Sequence, residues 1–322
     1  MTTFSRRHAL GLMGAATVSA CAPVVQTGAL SEDPFEGGIG GTGIVGTMIG
    51  AGSVLINGLR VEIPDAVRIV ENGGIGGTGA LMPGRAMTIV ARTRRDRMEA
   101  LRIDVEDPLI GTLRRTSSGL RLNGTPVTIE PGAVGGTLVG RRVAASGVWQ
   151  RDGSLRASLV QPSGLADSVS GTVAGDPATG WRIGQTLIQP PAGSSLIAGQ
   201  YASASGTFNG TSLIARTLRQ GRFRPGTSLR QLSVEGYLER IDTAPGFRIA
   251  GLGHSFARRL DLAPLAGSRA VFFGPYDGLF AARRAVFLPE GVGKRRSVLR
   301  PSDGSAFAPA LTGPQARRIG TL

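Results

Sequence analysis

The side chains that could perform chemistry are few and scattered along the chain. Asp104, Glu106 and Asp107 form one local group of carboxylates near the end of a predicted strand. Paired carboxylates act as general acid and base or bind a hard cation, and Asp104 and Glu106 would share one strand face. A calcium loop needs several more acids at loop spacing, and these are missing. We therefore interpret the group as a solvated strand end and predict no metal site.

The other candidate catalytic residues lack partners in the sequence. His254 is the only histidine after the N-terminal segment, and it has no acid nearby in the chain. We expect it to lie in a loop or at a barrel rim. The serines occur in neither a Gly-x-Ser-x-Gly nor a Ser-x-x-Lys motif. The sequence therefore favours a non-enzymatic protein, and a hydrolytic enzyme is the last of the alternatives.

Two identical glycine-rich heptapeptides, Gly37–Gly43 and Gly73–Gly79, each contain Gly-x-Gly-x-x-Gly. A dinucleotide site needs a buried strand before this motif and a helix after it. A linker precedes the first copy and a predicted strand follows it, so we predict no nucleotide and no other cofactor. Instead, we expect the two segments to pack against each other through backbone hydrogen bonds. Ile39 and Ile75 would then be buried and would fix the register.

The chain is strongly basic, with a net charge of +14 carried by 35 Arg and a single Lys among 322 residues. The arginines are spread along the chain, which favours a solvated basic surface. The alternative is an anion-binding face that combines basic and aromatic side chains. Its candidate contacts are Arg222, Phe223, Arg224 and Tyr276.

The N-terminus has the features of an export signal. Arg6 and Arg7 precede a mildly apolar stretch that ends in Val18-Ser19-Ala20-Cys21. The paired arginines resemble a twin-arginine signal, and general secretion is the open alternative. The four residues ending at Cys21 resemble the lipoprotein box, in which acyl chains on the cysteine hold the protein to a membrane. Because Ala22 follows the cysteine, we expect a lipid anchor in the outer membrane, facing the periplasm.

The elements that must position these residues are short strands. The segment from Ile110 to Pro162 contains five short runs of β-forming residues, bounded by Asn-Gly, Asp-Gly or Gly/Ser turns. Five antiparallel strands of this length remove their sheet edges most simply by closing into a barrel. Gly46, Gly111, Gly171 and Gly236 open similar segments at intervals of 65, 60 and 65 residues, which indicates tandem copies.

The predicted fold is all-β, a tandem array of about four small five-stranded, OB-like antiparallel barrels. The predicted segments are a signal peptide (1–20), a lipidated cysteine with a tether (21–42), four repeats (43–108, 109–165, 166–228 and 229–289) and a basic, disordered tail (290–322).

The tandem pattern, the Asn57-Gly58 and Asn123-Gly124 turns and the duplicated heptapeptide resemble the bacterial family catalogued as domain of unknown function 5666. This resemblance implies an exported protein of small β-barrel repeats with a lipoprotein signal. It implies no catalytic residues.

Two functions follow as expectations. The first is a non-enzymatic, membrane-tethered envelope protein that serves as a scaffold or binds another envelope component. The second is a binder of an anionic polymer, such as a glycan, lipopolysaccharide or nucleic acid, on a barrel face.

Overall fold

The computed structural model describes residues 41–50, 53–94, 97–133, 138–223, 227–240, 247–252, 267–278 and 280–299. These residues form short strands arranged in two eleven-stranded sheets. One sheet contains repeats 1 and 4, and the other contains repeats 2 and 3. The predicted all-β array of small five-stranded barrels is confirmed.

Repeat 1 is a closed barrel with an added hairpin. Its strands are β1 (Gly41–Gly50), β2 (Val54–Ile56), β3 (Leu59–Glu62), β4 (Arg68–Glu71), β5 (Gly74–Ile75), β6 (Ala86–Arg94) and β7 (Arg97–Val105). Backbone pairing runs β1-β2-β3-β7-β6-β1, and only the β3–β7 ladder in this ring is parallel. The β4–β5 hairpin extends the sheet beyond β7, and a short 3₁₀ helix, Thr78–Ala80, follows it.

Repeat 2 has the same strand order. Its strands are β8 (Leu109–Thr112), β9 (Arg114–Thr116), β10 (Gly119–Leu122), β11 (Thr125–Ile129), β12 (Arg142–Trp149) and β13 (Leu155–Pro162). Pairing runs β9-β10-β11-β13-β12-β8, again with a parallel ladder between β11 and β13. The first strand is divided at the buried Leu113 into β8 and β9. Because β8 and β9 are two halves of one continuous strand, the pairing order closes into a ring.

Repeat 3 is closed by pairing all the way round. Its strands are β14 (Asp167–Ala174), β15 (Trp181–Ile183), β16 (Thr186–Gln189), β17 (Tyr201–Phe208) and β18 (Ser212–Gln220). The ring β14-β15-β16-β18-β17-β14 repeats the order of the first two barrels. Five strands in this Greek-key order make each unit an OB-like barrel.

The described part of repeat 4 comprises β19 (Leu229–Arg240), β20 (Phe247–Ile249), β21 (Arg269–Pro275) and β22 (Arg284–Phe287). β19 pairs with both β20 and β21, and β21 pairs with β22. A helix, α1 (Val292–Val298), follows this repeat. The prediction of disorder from residue 290 onward is therefore wrong for the first ten residues, where Arg295 and Leu299 are buried.

An asparagine at the second hairpin ties each of the first two barrels to a neighbour. Asn57 and Asn123 both have positive φ, as a two-residue Asn-Gly hairpin requires. The Asn57 amide donates hydrogen bonds to the Val45 carbonyl (3.0 Å) and to a hydroxyl in repeat 4 (3.0 Å). The Asn123 amide donates to the Ile110 carbonyl (2.8 Å) and to a carbonyl in repeat 3 (3.2 Å).

This contact explains the opening glycines. A Cβ atom at Gly46 would lie 2.3 Å from Asn57 Oδ1, and one at Gly111 would lie 2.2 Å from Asn123 Oδ1. The second hairpin of repeat 3 has Gly184-Gln185 in place of Asn-Gly, and Trp149 from repeat 2 takes the place of the asparagine. Its indole N–H donates to the Ser170 carbonyl at 2.9 Å, immediately before the opening glycine of repeat 3. In repeats 1 to 3 the opening glycine therefore provides space for a hydrogen-bonding side chain, whereas a Cβ at Gly236 of repeat 4 would meet the Ile249 side chain.

A β-bulge in the last hairpin bends each of the first three barrels. The register shifts between Val90 and Ala91, between Ser146 and Gly147, and between Ser205 and Gly206. In repeats 2 and 3 the opposing carbonyl points at the glycine, so that an added Cβ would lie 2.0 Å and 1.9 Å from it. The small residues of these strands thus permit the bend that closes the barrel.

The barrels are joined by strand pairing as well as by common hydrophobic cores. The first strands of repeats 1 and 4, β1 and β19, pair in parallel, whereas those of repeats 2 and 3, β8 and β14, pair antiparallel. Val271 and Phe273 of repeat 4 and Leu299 of the tail pack into the core of repeat 1. Tyr237 and Ala250 of repeat 4 pack into the core shared by repeats 2 and 3.

Two buried ionic groups also join the repeats. The first, the Arg269 cluster (Arg269, Glu130, Glu235, Arg295 and Thr47), has every side chain at most 2% exposed. It connects repeats 1, 2 and 4 with the tail helix.

The second group joins repeats 1 and 2 and is centred on Arg85. The Arg85 guanidinium pairs with both Asp107 and Glu71, and the Ser146 hydroxyl from repeat 2 donates to Asp107. Because buried charges are costly unless they are paired, these contacts fix how the barrels are docked.

The structure contradicts the predicted burial of Ile75 and the predicted contacts of the second heptapeptide, whereas Ile39 lies outside the described residues. Gly74–Ile75 forms β5, which pairs with β4 within the described residues, and the Ile75 side chain is 99% exposed. The described end of the first heptapeptide, Gly41–Gly43, lies in β1 between β19 and β6. Asn72 and Gly73 form a positive-φ turn, so the second copy folds back on its own hairpin instead.

Candidate functional site

Several residues singled out in the sequence lie outside the described part of the chain. These are Arg6 and Arg7 of the export signal, the lipidation candidate Cys21, the anion-contact candidate Arg224, and His254. None of the helices in the described ranges has the length and apolar character needed to cross a membrane.

The remaining anion-contact candidates lie between repeats, where they are half-buried. The Arg222 guanidinium carbon sits 3.8 Å from the centre of the Tyr201 ring, and Nη1 donates to the Thr88 hydroxyl at 2.9 Å. Phe223 and Tyr276 pack against the core of repeat 4. The structure therefore places these three residues in internal contacts, where Arg222 makes a cation–π interaction.

The three carboxylates predicted to form a solvated strand end instead each have different partners. Asp104 pairs with Arg102 on the same strand face, whereas Asp107 is buried against Arg85. Glu106, 14% exposed, accepts hydrogen bonds from the Tyr201 hydroxyl and from Arg219, both at 2.6 Å. The expectation of a solvated end is therefore wrong for Glu106 and Asp107.

The electrostatics of Glu106 and Tyr201 follow from this position. Burial raises the pKa of Glu106, but the positive charges of Arg219 and Arg222 outweigh it, so that the pKa lies below its usual value. Burial raises the pKa of Tyr201, and the Glu106 carboxylate raises it further. Glu106 is thus held ionised and Tyr201 neutral, which stabilises the contact between repeats 1 and 3.

Grouped metal ligands are not found in the described ranges: no set of three or more His, Cys, Asp or Glu side chains converges there. The most site-like feature is a surface groove between repeats 2 and 3. It consists of two depressions of about 440 Å³ and 310 Å³ that share Asp167 in their walls. Both volumes fall in the range of ligand-binding clefts.

Four arginines line this groove, which we call the repeat 2–3 groove. Arg142 and Arg216 lie in one depression, and Arg114 and Arg121 lie in the other together with the Phe208 ring. Among the residues that the structure describes, Asp167 is the only carboxylate that lines either depression. Guanidinium groups bind carboxylate and phosphate oxygens through paired hydrogen bonds. The groove is therefore suited to an anionic ligand.

The two arginines nearest the hairpin are direct cross-strand neighbours. The β9–β10 pairing places Arg121 opposite Arg114, and β9 is joined to β10 by the Ser117-Ser118 turn. Like charges directly opposite each other destabilise a sheet unless a counter-charge is present. Neither arginine was predicted from the sequence as a ligand contact, although the position of the turn determines their register and could have revealed the pair.

The fold and the groove define a class of protein. Its members consist of small OB-like barrels joined by strand pairing, with an arginine-lined groove between two of them. Comparison of this chain with protein-family models, curated proteins and solved structures finds no match.

Proposed function

We propose that the protein is a non-enzymatic, membrane-tethered cell-envelope lipoprotein whose fused barrels form a rigid platform for another envelope component. The observation that carries this proposal is the way the repeats are joined. The first strands of repeats 1 and 4 pair with each other, and the Arg269 cluster joins side chains from repeats 1, 2 and 4. Independent binding modules on flexible linkers would need no such buried charges.

The tether is proposed from the sequence around Cys21, in line with the resemblance to the exported repeat family. Acyl chains on Cys21 would hold the body at the periplasmic face of the outer membrane, since two or more acyl chains give stable anchoring. The residues between Cys21 and β1 would serve as a spacer.

The experiment compares the wild type with Cys21→Ser in the native host. Wild-type protein should incorporate labelled fatty acid and fractionate with the outer membrane, whereas Cys21→Ser should do neither. Crosslinking in intact cells should then recover a reproducible partner with the wild type and less of it with Cys21→Ser. Fatty-acid labelling of Cys21→Ser would refute the anchor, and the absence of any crosslinked partner would refute the platform.

A second function, binding of an anionic polymer, is favoured by the charge distribution. Most carboxylates in the described ranges already pair with an arginine, whereas Arg114, Arg121 and Arg216 line a concave surface without such a pair among the described residues. Its test is whether the protein is retained on an anionic matrix and released in proportion to ionic strength, as counterion release requires.

A further inference from the structure

We infer that the repeat 2–3 groove is the binding site for an acidic polysaccharide that carries carboxylate or phosphate groups along its chain. This inference rests on the second proposed function and names its site and ligand class. It does not depend on the lipid anchor.

The repeat 2–3 groove carries an excess of positive charge. Arg142 donates to Asp167 Oδ1 at 2.9 Å, and the Phe208 backbone N–H donates to Asp167 Oδ2 at 2.7 Å. The one carboxylate of the groove is therefore already neutralised by contacts within the fold. Arg114, Arg121 and Arg216 then remain as a surplus of positive charge, since Asp167 is the one carboxylate among the described residues of the groove walls.

The positive charges lie in both depressions of the groove. Arg216 projects from the β18 side of the groove, and Arg114 and Arg121 project from the β9–β10 hairpin, with Asp167 between them. The Arg121 guanidinium is held by a 2.6 Å hydrogen bond to the Gly124 carbonyl, which fixes its direction. A ligand with anions at intervals along an extended chain could satisfy both ends of the groove, whereas a single small anion could reach only one.

The remaining lining distinguishes between classes of polyanion. Hydroxyl groups are plentiful, since Thr112 and Thr116 line one depression and Thr207 and Thr217 line the other. In the described part of the chain, Phe208 is the only aromatic side chain in the walls. Proteins that bind single-stranded nucleic acid stack successive bases on several aromatic rings. Hydroxyls, guanidinium groups and a single ring instead suit a chain of sugars.

The experiment measures binding to the full chain by fluorescence anisotropy with three labelled probes of equal charge number. These are an oligogalacturonate, a phosphorylated oligomannan and a single-stranded DNA. The test variant is Arg114→Gln/Arg121→Gln. The matched control, Arg60→Gln/Arg182→Gln, removes the same charge from exposed positions in β3 and β15. Thermal melts confirm that both variants fold.

The test variant should lose about tenfold or more in affinity for at least one saccharide probe, because each arginine contributes a charged hydrogen bond. The control should lose about twofold or less, through the general field alone. Asp167→Asn provides a check in the opposite direction. It removes the one negative charge of the groove and should raise the affinity, which simple destabilisation of the fold would not do.

The outcomes separate the two proposals. If the wild type binds none of the three probes, polymer binding itself is refuted. If it binds a saccharide but the test and control variants lose affinity equally, the groove is refuted while polymer binding stands. If DNA binds more tightly than either saccharide and loses affinity in the same variant, the site stands but the ligand class is wrong.

Discussion

Replacing Arg269 with methionine should cost far more stability than the same change at Arg295, although both guanidinium groups are fully buried. Arg269 Nε and Nη2 lie 2.9 Å and 2.7 Å from Glu235 Oε1, and Nη1 donates to Glu130. Arg269→Met would therefore remove the cation that hydrogen-bonds both buried carboxylates, whereas Arg295→Met would leave those contacts in place. Removal of one partner from a buried ion pair costs about 3–5 kcal/mol.

Arg295 makes a poorer set of contacts. Its Nη1 donates to Glu130 Oε2 at 2.9 Å, but Nε lies 3.7 Å from Glu235. Neither Nε nor Nη2 has a hydrogen-bond partner among the described residues. Burial lowers the pKa of Arg295, and repulsion from Arg269 lowers it further. We therefore expect Arg295→Met to cost only about 1 kcal/mol, because the lost hydrogen bond is partly offset by relief of desolvation.

We expect Arg269→Met to lower the free energy of unfolding by about 3 kcal/mol, the low end of the range for a broken buried ion pair. The loss is at the low end because Arg295 still partly compensates both carboxylates. Adding Glu235→Gln to Arg269→Met should restore about 1 kcal/mol or more, because it removes an uncompensated buried charge. The assay is urea denaturation at pH 7, followed by the fluorescence of Trp149 and Trp181. Equal costs for the two arginine variants, or no recovery in the double variant, would show that charge compensation does not control stability here.

Three further predictions address the barrels. Gly147→Ala should lower the free energy of unfolding by about 1–3 kcal/mol, since its Cβ would meet a carbonyl, whereas the control Gly77→Ala, with open space around it, should change little in the same melts. Asn123→Ala should cost a similar amount through two lost hydrogen bonds, and an unchanged melting temperature would contradict the tie to repeat 3. Burial raises the pKa of Glu106 and Glu235, but neighbouring arginines lower it more, so that both pKa values lie below the usual glutamate value. Their stabilisation is therefore fully present near neutral pH and should be lost as pH falls through these lowered pKa values, as denaturation from pH 7 to pH 3 would show.

Local turn chemistry made much of the barrel predictable. Asn-Gly turns require positive φ at both residues, so Asn57-Gly58 and Asn123-Gly124 marked the second hairpin in advance. The regular spacing of the opening glycines marked the first strands. The sequence did not reveal why those residues are glycine, because the side chain that fills the space lies on another strand or turn of the barrel or, for Trp149, in the preceding repeat.

The errors have a different origin. Composition alone suggested that a basic tail is solvated, but Arg295 is paired with Glu130, 165 positions earlier in the chain. No local pattern distinguishes such an arginine from a surface arginine. The heptapeptide prediction failed because it assumed that identical segments would make identical contacts. Gly41–Gly43 pairs in a central strand, whereas Gly74–Ile75 forms a short hairpin arm.

The arginines of the groove were only partly predictable from the sequence. Arg114 and Arg121 could have been paired from the turn at Ser117-Ser118. Arg216 and Arg142 could not have been added, since they approach only when β14 docks on β8 and brings repeat 3 against repeat 2. The site therefore depends on an arrangement between repeats that the sequence did not predict.

The pairing of first strands limits how this array could have grown. In an open solenoid, each unit contacts only its neighbours, and gene duplication can extend the row at either end. Here the opening strand of repeat 1 pairs with that of repeat 4, and the opening strand of repeat 2 pairs with that of repeat 3. All four opening strands are thereby used, so an additional copy would find no equivalent partner. Deleting one copy would expose a strand of its former partner. A change in the number of copies would therefore leave an opening strand without its equivalent partner.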